Sequence, residues 1–152
     1  MTSRSEDETV ALAAELAAAF RGGEVVLLSG ELGAGKTAFV RGLARGLGAD
    51  PDEVASPTFV LLTSYPGRLT LHHADLYRLR GDGDERELGL EELPGPGGVL
   101  AVEWAERLAE VPWPASSGRC WPATALCSPP RRQWSFTGAR GISRPGRRAR
   151  RA

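Results

Sequence analysis

The run Gly30-Glu31-Leu32-Gly33-Ala34-Gly35-Lys36-Thr37 constrains this chain more than any other stretch, because it matches the phosphate-binding pattern G-x-x-x-x-G-K-[ST] in full. Lys36 is the only lysine; every other basic side chain is an arginine. An ammonium is a compact point charge that fits between phosphate oxygens where a planar guanidinium does not. Gly30, Gly33 and Gly35 let the backbone wrap closely enough for successive N–H groups to face an anion, and a helix opening at Lys36 adds its positive end. The flanks suit this reading. Residues 24–29, EVVLLS, read as a buried strand entering the loop, and residues 38–47, AFVRGLARGL, continue as a helix leaving it. The alternative, a glycine-rich turn without a ligand, does not require that strand and helix.

A chain of 152 residues is one domain by length and can bury a single core. Its net charge of zero conceals two unlike parts. Up to Glu110, nineteen acidic residues face nine arginines and Lys36, a net −9; from Val111 onward there are nine arginines and no acid. No apolar run is long enough for a transmembrane helix, and the acidic segment from Met1 to Glu8 lacks the charged and apolar regions of a signal peptide, so a cytoplasmic protein without membrane contact is expected. Cys120 and Cys127 have no nearby histidine and fit no zinc spacing.

Residues 6–21 form an alanine-rich amphipathic helix closed by Gly22-Gly23. Beyond the phosphate loop and its helix, two strand-like runs over 58–65 and 68–75 are separated by Pro66-Gly67 and predict an antiparallel hairpin. Residues 81–93 predict a short acidic helix with loops, 98–102 a short buried strand ending at Glu103-Trp104, and 105–110 a last helical turn or two. Strands alternating with helices indicate an α/β fold with a mixed sheet flanked by helices, of the P-loop NTPase kind.

After Trp113 the periodicity stops. Residues 115–152 contain no Asp, Glu or Lys, and only Leu126 and Ile142 as branched aliphatics. This divides the chain into a P-loop domain, 1–114, and an atypical, disordered basic tail, 115–152. One reading makes the tail an arm for nucleic acid, through Arg131-Arg132 and the cluster at 147–151. The other makes it the product of a shifted reading frame. The second is favoured, because a solvated basic arm has little use for tryptophans and cysteines. On that reading the sheet lacks its final strands and exposes an unpaired edge.

A phosphate loop alone does not name an activity, so other residues must narrow it. Ser56-Pro57-Thr58-Phe59 sets hydroxyls beside a rigid proline; read alone it is equally a strand-initiating turn. The segment from His73 to Arg78, HADLYR, ends a strand on the carboxylate of Asp75, beside a phenol and a guanidinium; read alone it is equally a surface ion pair, and His72 is read as packing. Glu103 ends an apolar strand, the place from which such folds deliver an acid to the nucleotide edge of the sheet. Trp104 either stacks on a ligand or packs.

In order and spacing, GELGAGKTA, SPTF, HADLYR, the LGLEE stretch at 88–92 and VEW resemble the bacterial TsaE family, the small ATPase of tRNA threonylcarbamoyladenosine synthesis, over residues 5–114. The resemblance implies ATP and Mg2+ as cofactors. It implies that Gly33, Ala34, Gly35, Lys36, Thr37 and Ala38 wrap the phosphates, that Thr37 and Glu103 hold the metal, and that Glu6 and Thr9 lie near the base. It further implies Lys36, Asp75 and Glu103 as the catalytic set, a slow, partner-dependent ATPase serving TsaD-like and TsaB-like proteins, and contact with tRNA only through that complex. Two rivals stand beside it. A small-molecule P-loop kinase would need an arginine-bearing lid, for which the arginine-poor stretch 50–76 has no candidate; a nucleotide-binding module would bind without turnover.

Overall fold

The computed structural model describes residues 1–57, 59–80, 83–113, 119–128 and 131–136. Seven strands form one mixed sheet: β1 (Thr2–Ser3), β2 (Val25–Gly30), β3 (Leu62–Tyr65), β4 (Thr70–Asp75), β5 (Gly98–Glu103), β6 (Cys120–Ser128) and β7 (Arg131–Phe136), in the order β1-β7-β6-β2-β5-β4-β3. The inner strands β6, β2, β5 and β4 run parallel, and β7 and β3 pair antiparallel at either side. The α/β class and the hairpin, β3 against β4, are as the sequence predicts, with β3 shorter than its apolar run because residues 59–61 turn. The acidic stretch 81–93 supplies two 3-10 turns, Asp84–Leu88 and Leu90–Glu92, and a third occupies Ala105–Arg107.

Two helices, α1 (Glu6–Ala18) and α2 (Lys36–Leu47), share one apolar core with Val26, Leu28, Leu71, Val99 and Ala101. Helix α1 starts where Ser5 accepts a bond from the Glu8 amide, with Glu6, Asp7 and Glu8 in its first turn complementing the helix dipole. The helices approach closely because α2 carries glycine where α1 crosses it. A Cβ on Gly42 would lie 2.4 Å from the Val10 carbonyl oxygen, and one on Gly46 2.4 Å from that of Ala14. Glycine inside a helix costs about 1 kcal/mol against alanine, and the contact it permits offsets that. The opposite face of the sheet, with Val25, Leu27, Leu100, Val102 and Cys120, packs against Leu76, Leu90 and Ala105 rather than a long helix. Among the described residues α-helices therefore cover one side of the sheet only. Among the described residues no helix is long and apolar enough to cross a membrane.

The expectation that the sheet lacks its final strands is corrected. Strand β6 pairs with β2 from Val25↔Cys120 to Gly30↔Ala125, and β7 pairs with β6 and then with β1. The ordered sheet thus crosses the boundary put at 114/115, and the edge of β2 is covered. Trp134 of β7 is 1% exposed, and its ring centroid lies 4.6 Å from that of Phe39 on α2. The pattern misled for two reasons. The buried residues described in β6 are the small Cys120, Ala123 and Ala125, which carry little hydrophobic signal. Pro122 also argues against a central strand, yet it precedes Ala123, where pairing with β7 begins, so the strand has one neighbour at that point. The arginine cluster at 147–151 lies outside the described residues.

Cys120 offers a direct check. Its thiol is buried and unpaired, and desolvation pushes its pKa above the usual cysteine value. Alkylation of native protein, read peptide by peptide in a mass spectrometer, should leave Cys120 unmodified until denaturant is added. Rapid native labelling of Cys120 would mean that β6 is not docked on β2.

Candidate functional site: the carboxyl edge of the parallel strands

The parallel strands β2, β4 and β5 end at Gly30, Asp75 and Glu103, so a glycine loop and two carboxylates arrive at one edge of the sheet. Asp75 and Glu103 are register partners across the β4–β5 ladder. A cleft of about 460 Å³ opens there, lined by Glu6, Gly33, Gly35, Lys36, Thr37, Ala38, Arg41, Ser56, Asp75 and Glu103, with Leu32, Tyr77 and Trp104 at its walls.

The loop has the backbone its glycines predict. Gly33 (φ 77°) and Gly35 (φ 97°) occupy left-handed conformations that side chains disfavour, and a Cβ on Gly33 would meet no protein atom within 4 Å. Gly30 has a different reason. A Cβ there would lie 2.7 Å from the Ala125 carbonyl oxygen, so β6 is pressed directly against the first glycine of the loop.

Lys36, Asp75 and Glu103 are 4%, 2% and 3% exposed, a concentration of buried charge that a purely structural sheet edge does not need. The Lys36 ammonium donates to the carbonyl oxygens of Gly30 (2.6 Å) and Glu31 (2.8 Å), and sits 3.9 Å from the centre of the Trp104 ring. Burial lowers its pKa, while the carboxylates of Glu103, Glu106 and Asp75 act in the opposite direction. The Thr37 hydroxyl donates to Glu103, 2.9 Å from Oε1 and 3.1 Å from Oε2. Asp75 accepts from the Ser56 hydroxyl (2.5 Å) and from the Tyr77 amide (2.9 Å), which fixes both carboxylate oxygens. Trp104 holds φ 58°, a conformation costly for a bulky side chain, and in it the indole reaches both Lys36 and Tyr77 (ring centroids 4.8 Å apart).

Of the residues singled out in the sequence, the cleft therefore gathers Glu6, Gly33, Gly35, Lys36, Thr37, Ala38, Asp75 and Glu103. Ala34 is buried beneath the loop, its amide bonded to the Glu31 carbonyl. Thr9 does not line the cleft. Its side chain is fully buried and bonds the Ser3 hydroxyl (2.7 Å) and the Ser5 carbonyl (3.1 Å), tying β1 to the first turn of α1. Thr58 lies outside the described residues.

Two contributors escaped sequence reasoning. Arg41 on α2 forms a 2.6 Å ion pair with Glu6 at the cleft wall; nothing marks it locally, since its partner is 35 residues away. His73 bonds Glu103 from inside the sheet (Nε2 to Oε1, 2.8 Å). Here a signal existed. Strand alternation puts His73 and Asp75 on one face.

These acids and the hydroxyl suit Mg2+, a hard cation that takes oxygen ligands and is usually held by one or two carboxylates plus phosphate. Among the described residues no three His, Cys, Asp or Glu side chains are grouped to hold a metal unaided.

A family model described as "Threonylcarbamoyl adenosine biosynthesis protein TsaE" matches residues 3–124. The chain belongs to the TsaE family. The match reaches ten residues past Pro114, where likeness was expected to stop, and takes in the β6 residues from Cys120 to Thr124 that pair with β2. Proteins named tRNA threonylcarbamoyladenosine biosynthesis protein TsaE are 47% identical over 107 residues in Treponema pallidum (70% of this chain, 78% of that one), and 44% over 105 residues in Bacillus subtilis (68% and 65%). The relative in Rickettsia conorii is 42% identical over 106 residues, spanning 69% of this chain and 60% of its own. The crystal structure of Bacillus subtilis YdiB superposes with a TM-score of 0.65 at 32% identity, over 90% of this chain and 82% of that one. In this TsaE-family member the glycine loop joins β2 to α2, the strand and helix expected on its two flanks.

Proposed function

We propose that this chain binds ATP with Mg2+ at the carboxyl edge of its sheet and hydrolyses it slowly, as a nucleotide switch in the threonylcarbamoyl modification of the adenosine beside the tRNA anticodon. TsaD-like and TsaB-like proteins would be its partners, and tRNA would be met through them. The modification follows from what the relatives are named for. The observation that carries the chemistry is the contact between Thr37 and Glu103, a hydroxyl and a buried acid from different elements held together below the phosphate loop.

In this reading the loop amides from Gly33 to Ala38 and the dipole of α2 receive the phosphates. Lys36 exchanges its two loop carbonyls for β- and γ-phosphate oxygens. Thr37 and Glu103 would hold Mg2+, which when bound neutralises charge on the phosphate oxygens. Asp75, fixed by Ser56 and the Tyr77 amide, orients the attacking water. Trp104, touching Lys36 and Tyr77, and Thr58 report the state of the nucleotide to the partner.

Glu103→Gln and Asp75→Asn each remove a charge while keeping size. Both should lower turnover by about 100-fold or more, the scale of losing one electrostatic stabiliser in an active site, with ATP affinity changed much less. Single-turnover phosphate release beside equilibrium binding reads the two quantities separately. Unchanged turnover in both variants would overturn the assignment. A kinase would instead phosphorylate an added metabolite and release little free phosphate. A binding module would show affinity without turnover.

A further inference from the structure

His73 is fully buried in β4, yet it is no ordinary core residue, because its ring reaches the acid at the end of the neighbouring strand. Nε2 lies 2.8 Å from Oε1 of Glu103, the same oxygen to which the Thr37 hydroxyl donates at 2.9 Å. The other ring nitrogen, Nδ1, is buried with no hydrogen-bond partner among the described residues; the Tyr65 ring lies 6.4 Å away between centroids.

These facts select a tautomer. Glu103 as a carboxylate only accepts, so the bond requires a proton on Nε2. A proton on Nδ1 would be a buried donor with nothing to receive it, which disfavours that tautomer. A bare Nδ1 avoids that donor. We propose that His73 is the positioning residue of the site: it donates Nε2–H to Glu103 from inside the sheet, fixing the carboxylate's rotation so that its remaining accepting capacity faces Thr37 and a phosphate-borne Mg2+. It touches neither nucleotide nor metal, and acts through Glu103 as outer-shell donors do for metal-binding carboxylates.

The inference rests on the ATP–Mg2+ reading above, and its test separates the two. ATP affinity is measured by calorimetry with excess Mg2+ and again with EDTA, for wild type, His73→Leu and His73→Gln. Glutamine places an amide N–H near the position of Nε2; leucine cannot donate. Leucine should reduce the Mg2+-dependent gain in affinity about tenfold, the lower range for loss of an outer-shell partner, and leave affinity in EDTA unchanged. Glutamine should keep the gain within about threefold of wild type, by the same comparison. Thermal melts confirm that each variant is folded. Nitrogen-15 spectra of wild-type imidazole, without any ligand, should show His73 protonated on Nε2 and bare on Nδ1.

Equal losses with and without Mg2+ would make His73 a structural residue and overturn the proposal, as would no loss in either variant or an Nδ1–H tautomer. If His73→Leu does not fold, glutamine and the wild-type spectrum still decide. Failure of the wild type to gain affinity from Mg2+ would overturn the ATP–Mg2+ reading and this one together. A wild-type gain that survives His73→Leu overturns this one alone.

Discussion

Replacing Lys36 by alanine should weaken ATP binding by at least about 100-fold. The ammonium makes two short bonds to loop carbonyls that phosphate oxygens would take over, and charge-assisted bonds of this type contribute about 1.5–3 kcal/mol each. Losing two such bonds amounts to a factor of roughly 100 or more, at about 1.4 kcal/mol per tenfold. No other lysine exists to compensate. Lys36→Arg should not rescue, because the position is closed by the Gly30 and Glu31 carbonyls on one side and the Trp104 ring on the other, too confined for a planar fork. Fluorescent-nucleotide titration, with a thermal melt to confirm folding, measures the effect. Near wild-type affinity in Lys36→Ala would sink the phosphate-loop assignment.

The second large effect concerns stability. Trp134→Ala should destabilise the fold by about 3–5 kcal/mol, the usual cost of emptying a large aromatic site in a core. Trp134 is almost fully buried, and its partner Phe39 lies in α2, one turn after Lys36. For a domain of this size the melting temperature should fall by about 6–20 °C, at about 2–4 °C per kcal/mol. Removing residues 119–152 altogether should be worse, since it strips β6 from β2, leaves a central strand unpaired and withdraws the backing of Gly30. Such a protein should aggregate rather than melt cooperatively. A Trp134→Ala variant with an unchanged melt would mean that β7 is not part of the core.

The two effects meet in α2. Phe39 belongs to the helix whose first residues carry the phosphate loop, so the two strands that looked like an irregular tail brace the loop from two sides: Ala125 of β6 against Gly30, and Trp134 of β7 against Phe39. Loss of stability and loss of nucleotide affinity should therefore accompany each other in β6 and β7 variants, whereas Lys36→Ala should lose affinity alone.

What the sequence alone determined is what depends on neighbours along the chain. The loop is legible because its glycines, lysine and threonine act within eight consecutive residues, and the strand before it and helix after it follow from local periodicity. Asp75 and Glu103 were legible as strand-ending acids for the same reason. The tertiary structure decided what depends on register and distance. It placed Asp75 opposite Glu103, closed Glu103 onto both Thr37 and His73, and set Arg41 against Glu6 at the cleft while burying Thr9 away from it. It also made strands of Cys120–Ser128 and Arg131–Phe136. In β6 the small residues Ala123 and Ala125 and a proline give little preference of their own, and it becomes a strand because β2 presents an edge whose backbone groups must be satisfied.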